Sequence, residues 1–222
     1  MPRFQRKIIT KPAYDKILIV CEGEKTEPNY FKKFKGDLYN KMIEIEGPGM
    51  VTKSLVNYVL DNYYIYTKPD DNDVRGFDVI WVVFDRDSNP PQDFNEAIRL
   101  AESNKIHVAY SNEAFELWYL LHFNYHDSAM SRKLYEGKLT DNIIKLTGDN
   151  EYKYEKNSED MYDKLKEKHN TAIKNAKRLL DHYKDNDPNG LNPGKNNPST
   201  TVHLLVEELN TYKKQPVDIL RQ

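Results

Sequence analysis

The chain has 222 residues, with 33 Lys+Arg against 35 Asp+Glu and a formal net charge of −2. That length suffices for one generous domain with its own core. The near balance of charge excludes a protein that coats nucleic acid by global charge alone. No apolar run reaches the roughly 18 residues of a membrane span, and a single cysteine, Cys21, excludes an intramolecular disulfide or a cluster of zinc-binding thiolates. With 38% hydrophobic and 12% aromatic residues, a modest core lies under a heavily charged surface. Residues 1–11 lack the apolar stretch of a signal peptide, so the expected location is the cytoplasm, with no membrane association.

In chain order, Lys16–Glu22 (KILIVCE) is a short apolar run rich in β-branched residues and reads as a buried strand. A helix follows, with Thr26 as its expected cap, Glu27 and Pro28 in its first turn, and Tyr30, Phe31 and Phe34 on one face. Met42–Glu46 reads as a strand closed by Gly47-Pro48-Gly49, and helical spacing resumes at Leu55, Val56, Val59 and Leu60. Asp78–Asp85 (DVIWVVFD) is uninterrupted and apolar, as a central parallel strand covered on both faces requires. Phe94–Ser103 is the next expected helix, Ile106–Tyr110 a weaker strand, and Phe115–His122 another helix with Asn112 as its cap. Strand–helix alternation in this order predicts an α/β fold around a parallel sheet with right-handed crossovers. From about Asp127 the composition shifts to Lys, Asp, Asn and Tyr. Ser158–Tyr183 is expected to be one long helix, Asp185–Pro198 a loop, and Ser199-Thr200 the caps of a last helix bearing Val202, Leu205, Val206 and Leu209. Residues 1–126 thus form an α/β core and 127–222 a helical elaboration packed on it.

Two acidic motifs directly follow strands: Glu22-Gly23-Glu24 and Asp85-Arg86-Asp87. In a parallel sheet all strand carboxyl ends share one edge, where ligands bind. Carboxylates gathered there raise one another's pKa unless a cation neutralises them, and hard oxygen ligands suit Mg²⁺ or Mn²⁺. Glu22, Asp85 and Asp87 are therefore candidate metal ligands. Helix capping and dipole compensation by the same acids, Glu24 and Glu27 included, is the competing reading.

The stretches ILIVCEG and VIWVVFDRD resemble the two motifs of Toprim domains. More closely, CEGEKTEPNYF (21–31), VVFDRDSN (82–89), SNEAFELWYLLHF (111–123) and NPSTTVHLLVEEL (197–209) are similar to the RloB family, which is related to abortive-infection proteins of the AbiLii type. Glu113 departs from the pattern, standing where the family motif carries proline. The resemblance implies a Toprim-like Rossmannoid sheet, a metal-dependent nuclease acting on DNA or tRNA, and a role in antiviral defence. It implies that Glu22 is the general acid/base, that Asp85 and Asp87 are the Mg²⁺ ligands, and that some relatives work with an RloA-like AAA-type ATPase; this chain has no P-loop of its own. Glu116, from the family-specific motif, lies just past the fourth strand and suits a catalytic role or a helix dipole alike.

Lys25 and Lys195, with the expected helix start at Ser199 and Thr200, are candidate phosphate contacts. Basic clusters at Arg3, Arg6, Lys7 and Lys11 and at Lys32, Lys33 and Lys35 suit either a nucleic-acid backbone or plain solvent. Trp118, Leu120, Leu121 and Phe123 read as core, and His122 as a structural histidine. The alternative to an enzyme is a non-catalytic Toprim-like module that docks on nucleic acid or on the ATPase.

Overall fold

The computed structural model describes residues 15–39, 42–65, 75–186 and 190–213. The basic cluster from Arg3 to Lys11 lies outside them. The elements run β1 (Ile17–Cys21), α1 (Thr26–Gly36), β2 (Ile43–Glu46), α2 (Thr52–Asn62), β3 (Tyr64–Ile65), β4 (Gly76–Phe77), β5 (Val79–Asp85), α3 (Pro91–Ser103), β6 (His107–Asn112) and α4 (Glu116–Leu121). Then come α5 (Arg132–Thr147), α6 (Met161–Leu165), a 3₁₀ turn (Lys166–Lys168), α7 (His169–Asn186), β7 (Ser199–Thr200) and α8 (Val202–Asn210). Five strands form the main sheet in the order β2-β1-β5-β6-β7, parallel except for β7. β3 and β4 make a small parallel pair of their own.

Period-2 alternation in the central strands sets the layers. Ile17, Ile19, Cys21, Trp81 and Val83 enter one core together with Tyr30, Phe31 and Phe34 of α1 and Leu117, Trp118 and Leu120 of α4. Leu18, Val20, Ile80, Val82 and Phe84 enter the other, under Leu55, Val56 and Val59 of α2 and Phe94, Ala97 and Ala101 of α3. Right-handed crossovers explain this split. The chain steps from β1 to β2 through α1 on one face, then returns past β1 to β5 through α2 on the opposite face. Side chains of the later helices, such as Tyr135, Leu139, Ala172, Leu179 and Leu205, belong to the same apolar cluster as α1 and β1.

Three local expectations change. The long helix expected over 158–183 is interrupted: α6 packs against α1 and α7 against α4, and the 3₁₀ turn between them redirects the chain. Ser199 and Thr200 form a strand and not surface caps, although Thr200 Oγ1 still accepts the Val202 N–H at the start of α8 at 3.2 Å. They pair antiparallel with Asn112 and Ser111 and are fully buried. Asn112 is not a cap either: it ends β6, and its amide donates to the Pro193 carbonyl at 2.8 Å. The Asn112–Glu113 peptide bond is cis.

The turn after β1 is packed backbone to backbone against the end of β2. A methyl group on Gly47 would stand 2.5 Å from the Gly23 carbonyl oxygen and 2.7 Å from Pro28 Cγ. Gly47→Ala is therefore expected to destabilise the protein by about 2 kcal/mol, as overpacking against rigid neighbours does. Urea denaturation checks this, and an unchanged midpoint contradicts it.

Candidate active site

The carboxyl ends of β1 and β5 sit where the chain departs to opposite faces, β1 toward α1 and β5 toward α3. In parallel α/β sheets that divergence opens the ligand crevice. The register Cys21↔Val83 brings the residues just beyond it together. Glu22 Oε2 accepts a hydrogen bond from the Asp85 backbone N–H at 2.9 Å. Glu22 Oε1 accepts from the backbone N–H of Thr52 at 3.0 Å and from its hydroxyl at 3.2 Å. Thr52 opens α2, so its N–H is one of the donors a helix leaves unpaired. The Asn89 amide in turn donates to Thr52 Oγ1 at 3.1 Å. Burial raises the Glu22 pKa, and these bonds from Asp85 and Thr52 oppose the rise.

Asp85 is 7% exposed. Its Oδ2 accepts from the Phe115 N–H at 3.0 Å, while Oδ1 is buried without a hydrogen-bond partner. Asp87 adopts a left-handed φ of +53°, which aspartate tolerates better than most residues, and this bends the chain just past the strand. Both carboxylates meet one cation: Arg132 Nη2 lies 3.9 Å from Asp85 Oδ2 and is ion-paired with Asp87 Oδ1.

Two further acids complete the cluster. Glu27 and Glu116 are each 5% exposed. Burial, then the charges of Glu27, Glu116 and Glu22, push Asp85 well above the usual carboxylate range, against the Phe115 bond. Burial likewise raises Glu27 to about 7, with Glu116 adding to the effect. The Tyr154 hydroxyl donates to Glu116 Oε1 at 3.1 Å. Tyr154 belongs to a segment strapped over the start of α1, where Thr26 Oγ1 donates to the Lys156 carbonyl at 2.7 Å and the Asn29 amide to the Asn157 carbonyl at 3.2 Å. Thr26 thus ties down this strap instead of capping α1, whose N-cap is Lys25.

Glu22, Glu27, Asp85 and Asp87 line one cavity of about 520 Å³, together with Lys25, Arg132 and Lys156. Of the lysines expected near phosphate, Lys25 is at this cavity, and Lys195 is exposed outside its lining. Ser199 and Thr200, buried in β7, offer an anion no surface; Thr200 Oγ1 donates to the Tyr110 carbonyl at 2.8 Å. His122 is buried, with Nδ1 2.8 Å from the Trp118 carbonyl oxygen; burial lowers its pKa to about 4, which leaves it neutral at physiological pH. A second cavity of about 480 Å³, lined by Ile98, Val108, Leu191 and Leu204 among others, contains none of these acids.

Glu27 had a local signal: it stands at i relative to Tyr30, Phe31 and Phe34 at i+3, i+4 and i+7, on the apolar stripe of α1. Arg132, Tyr154 and Lys156 reach the cluster only through long-range packing.

Among the described residues, no group of three or more His, Cys, Asp or Glu side chains is arranged to hold a metal ion. The donor set nevertheless suits a hard cation. It is all carboxylate, one buried oxygen of Asp85 is unpartnered, and a positive charge, the Arg132 guanidinium, already stands between Asp85 and Asp87.

Fold and cluster together define an α/β protein with a mostly parallel sheet, whose acid-lined cavity lies at the sheet's topological switch point. The chain belongs to the RloB-like protein family, whose model matches residues 17–209 and so spans the sheet, the acidic cluster and most of α8. No curated protein and no solved structure matches it. Among the described residues, no helix is long and apolar enough to cross a membrane.

A carboxyl group whose folded pKa lies above its unfolded value holds its proton more tightly when folded, so stability falls as pH rises from the unfolded pKa through the folded one. For Glu27 that window runs from about 4.5 to about 7. Wild type is expected to lose up to about 3 kcal/mol more than Glu27→Gln between pH 4.5 and 7.5. Denaturant titrations of both proteins across this range, without divalent metal, check the difference; parallel pH profiles contradict it.

Proposed function

We propose that the protein is a Toprim-like, Mg²⁺- or Mn²⁺-dependent nuclease that hydrolyses phosphodiester bonds of DNA or tRNA. The observation that carries this reading is the direct bond between the Glu22 carboxylate and the Asp85 backbone, which joins the two acidic motifs at one sheet edge. Asp85, Asp87 and Glu22 would hold the metal, and a bound divalent ion supplies Lewis-acid stabilisation of charge at the phosphate. Thr52 and Asn89 fix the orientation of Glu22, whose raised pKa suits a group that takes and returns a proton. Glu116, steadied by Tyr154, stands near Asp85 and serves as the second catalytic carboxylate. Lys25 and Lys156 hold the substrate phosphates at the rim of the cavity. The defence setting and an ATPase partner rest on the family resemblance.

Plasmid, single-stranded DNA and total tRNA, each incubated with the protein in Mg²⁺, Mn²⁺ or EDTA, test the activity. Cleavage is expected with metal and not with EDTA, and Glu22→Gln, Asp85→Asn and Glu116→Gln should each lower it by about 100-fold or more. Metal-independent cleavage, or none on any substrate with the ATPase partner present, refutes the nuclease reading; binding without cleavage leaves a scaffold.

Phosphate contacts have their own readout. In Ca²⁺, Lys25→Ala and Lys156→Ala should each flatten the salt dependence of nucleic-acid binding by about 0.7–0.9 in log–log slope. Lys195→Ala should leave the slope unchanged. Identical slopes for all three variants place the basic path elsewhere.

A further inference from the structure

Arg132 is the first residue of α5, where the positive end of the helix dipole disfavours a cation, and no acidic residue stands in that first turn to compensate it. What holds the guanidinium is therefore not its own helix but Asp87 and Asp85, across the chain. The grip is one-sided: Arg132 Nε is buried without a hydrogen-bond partner. It is also open to solvent, with the side chains of Arg132 and Asp87 exposed to 35% and 41%. A residue locked into a structural network would have all its donors satisfied and its side chain enclosed; Arg132 leaves Nε unsatisfied and a third of its side chain in solvent. Its positive charge lies between the two aspartates of the motif that closes β5.

We infer that Arg132 is a tethered competitor for the cation position between Asp85 and Asp87, and that a divalent ion must displace its guanidinium to bind there. The inference rests on the cation site proposed above. In the resting protein the arginine neutralises Asp87 and part of the Asp85 field. When a metal enters, the partly exposed side chain swings outward without disturbing the apolar face of α5, which is carried by Tyr135, Leu139 and Ile143. Metal occupancy is then set by an exchange between two cations and not by the carboxylates alone.

The test is Mn²⁺ binding to the full chain without nucleic acid, followed by the electron paramagnetic resonance of free Mn²⁺, for wild type, Arg132→Gln and Arg132→Lys. Removing a partly exposed competitor should tighten Mn²⁺ binding by about tenfold in Arg132→Gln. Arg132→Lys keeps a charge but loses the planar fork and should tighten it less, by about threefold. The rise in melting temperature on adding Mn²⁺ should be larger in both variants than in wild type. Equal or weaker Mn²⁺ binding by the variants overturns the competitor role while leaving the cation site standing. Binding by none of the three overturns the cation site as well. Should Arg132→Gln fail to fold, Arg132→Lys decides alone, and an affinity no higher than wild type's refutes the inference.

Discussion

Carboxylates drawn out of water at one sheet edge repel each other and lose hydration, and every nearby element responds to that cost. Glu22 is met by the first N–H of α2 and by the backbone of Asp85. Asp85 is met by the Phe115 N–H. Tyr154 lends its hydroxyl to Glu116, and Arg132 brings a full positive charge to Asp87 and Asp85. These partners come from five separate stretches of chain. The fold is a sheet that creates the electrostatic problem and a set of elements from both halves of the chain that partly relieves it. The relief is incomplete, as the unpartnered Asp85 oxygen and the raised pKa of Glu27 show.

The geometry behind this cluster is topological. β1 and β5 are neighbours in the sheet, yet their following helices go to opposite faces. Two loops that part company leave a crevice that neither fills. A packed strand order of consecutive neighbours, all crossing on one face, would have closed it with side chains.

What the sequence made legible follows from the range of each signal. The central strands were readable because apolar residues buried on both faces leave an unbroken run, and the acids that end them were readable as punctuation. Glu27 was readable in principle from its place on the stripe of Tyr30, Phe31 and Phe34, but an acid in a first turn equally suits the dipole. α5 was not foreseen because Tyr135, Leu139 and Ile143 make a stripe only one residue wide. The strand at Ser199 and Thr200 was not legible because two residues are too few for strand periodicity to register, whereas hydroxyl residues before an apolar helix are a strong capping pattern, which Thr200 meets in part by accepting the Val202 N–H. The partnership of Arg132 with Asp87 leaves no local trace; it exists only once α5 has docked.

Cys21 ends β1 immediately before Glu22, fully buried, with burial first and the neighbouring acids next holding its thiol well above the ordinary range. As the chain's one cysteine, it is silent to thiol reagents while the central strand stays closed. The speed at which such a reagent labels the protein therefore clocks the opening of the sheet at the position beside the acids. A ligand that braces that edge would slow the clock, so the molecule carries a built-in reporter position from which occupancy of its site can be followed without knowing what the site turns over.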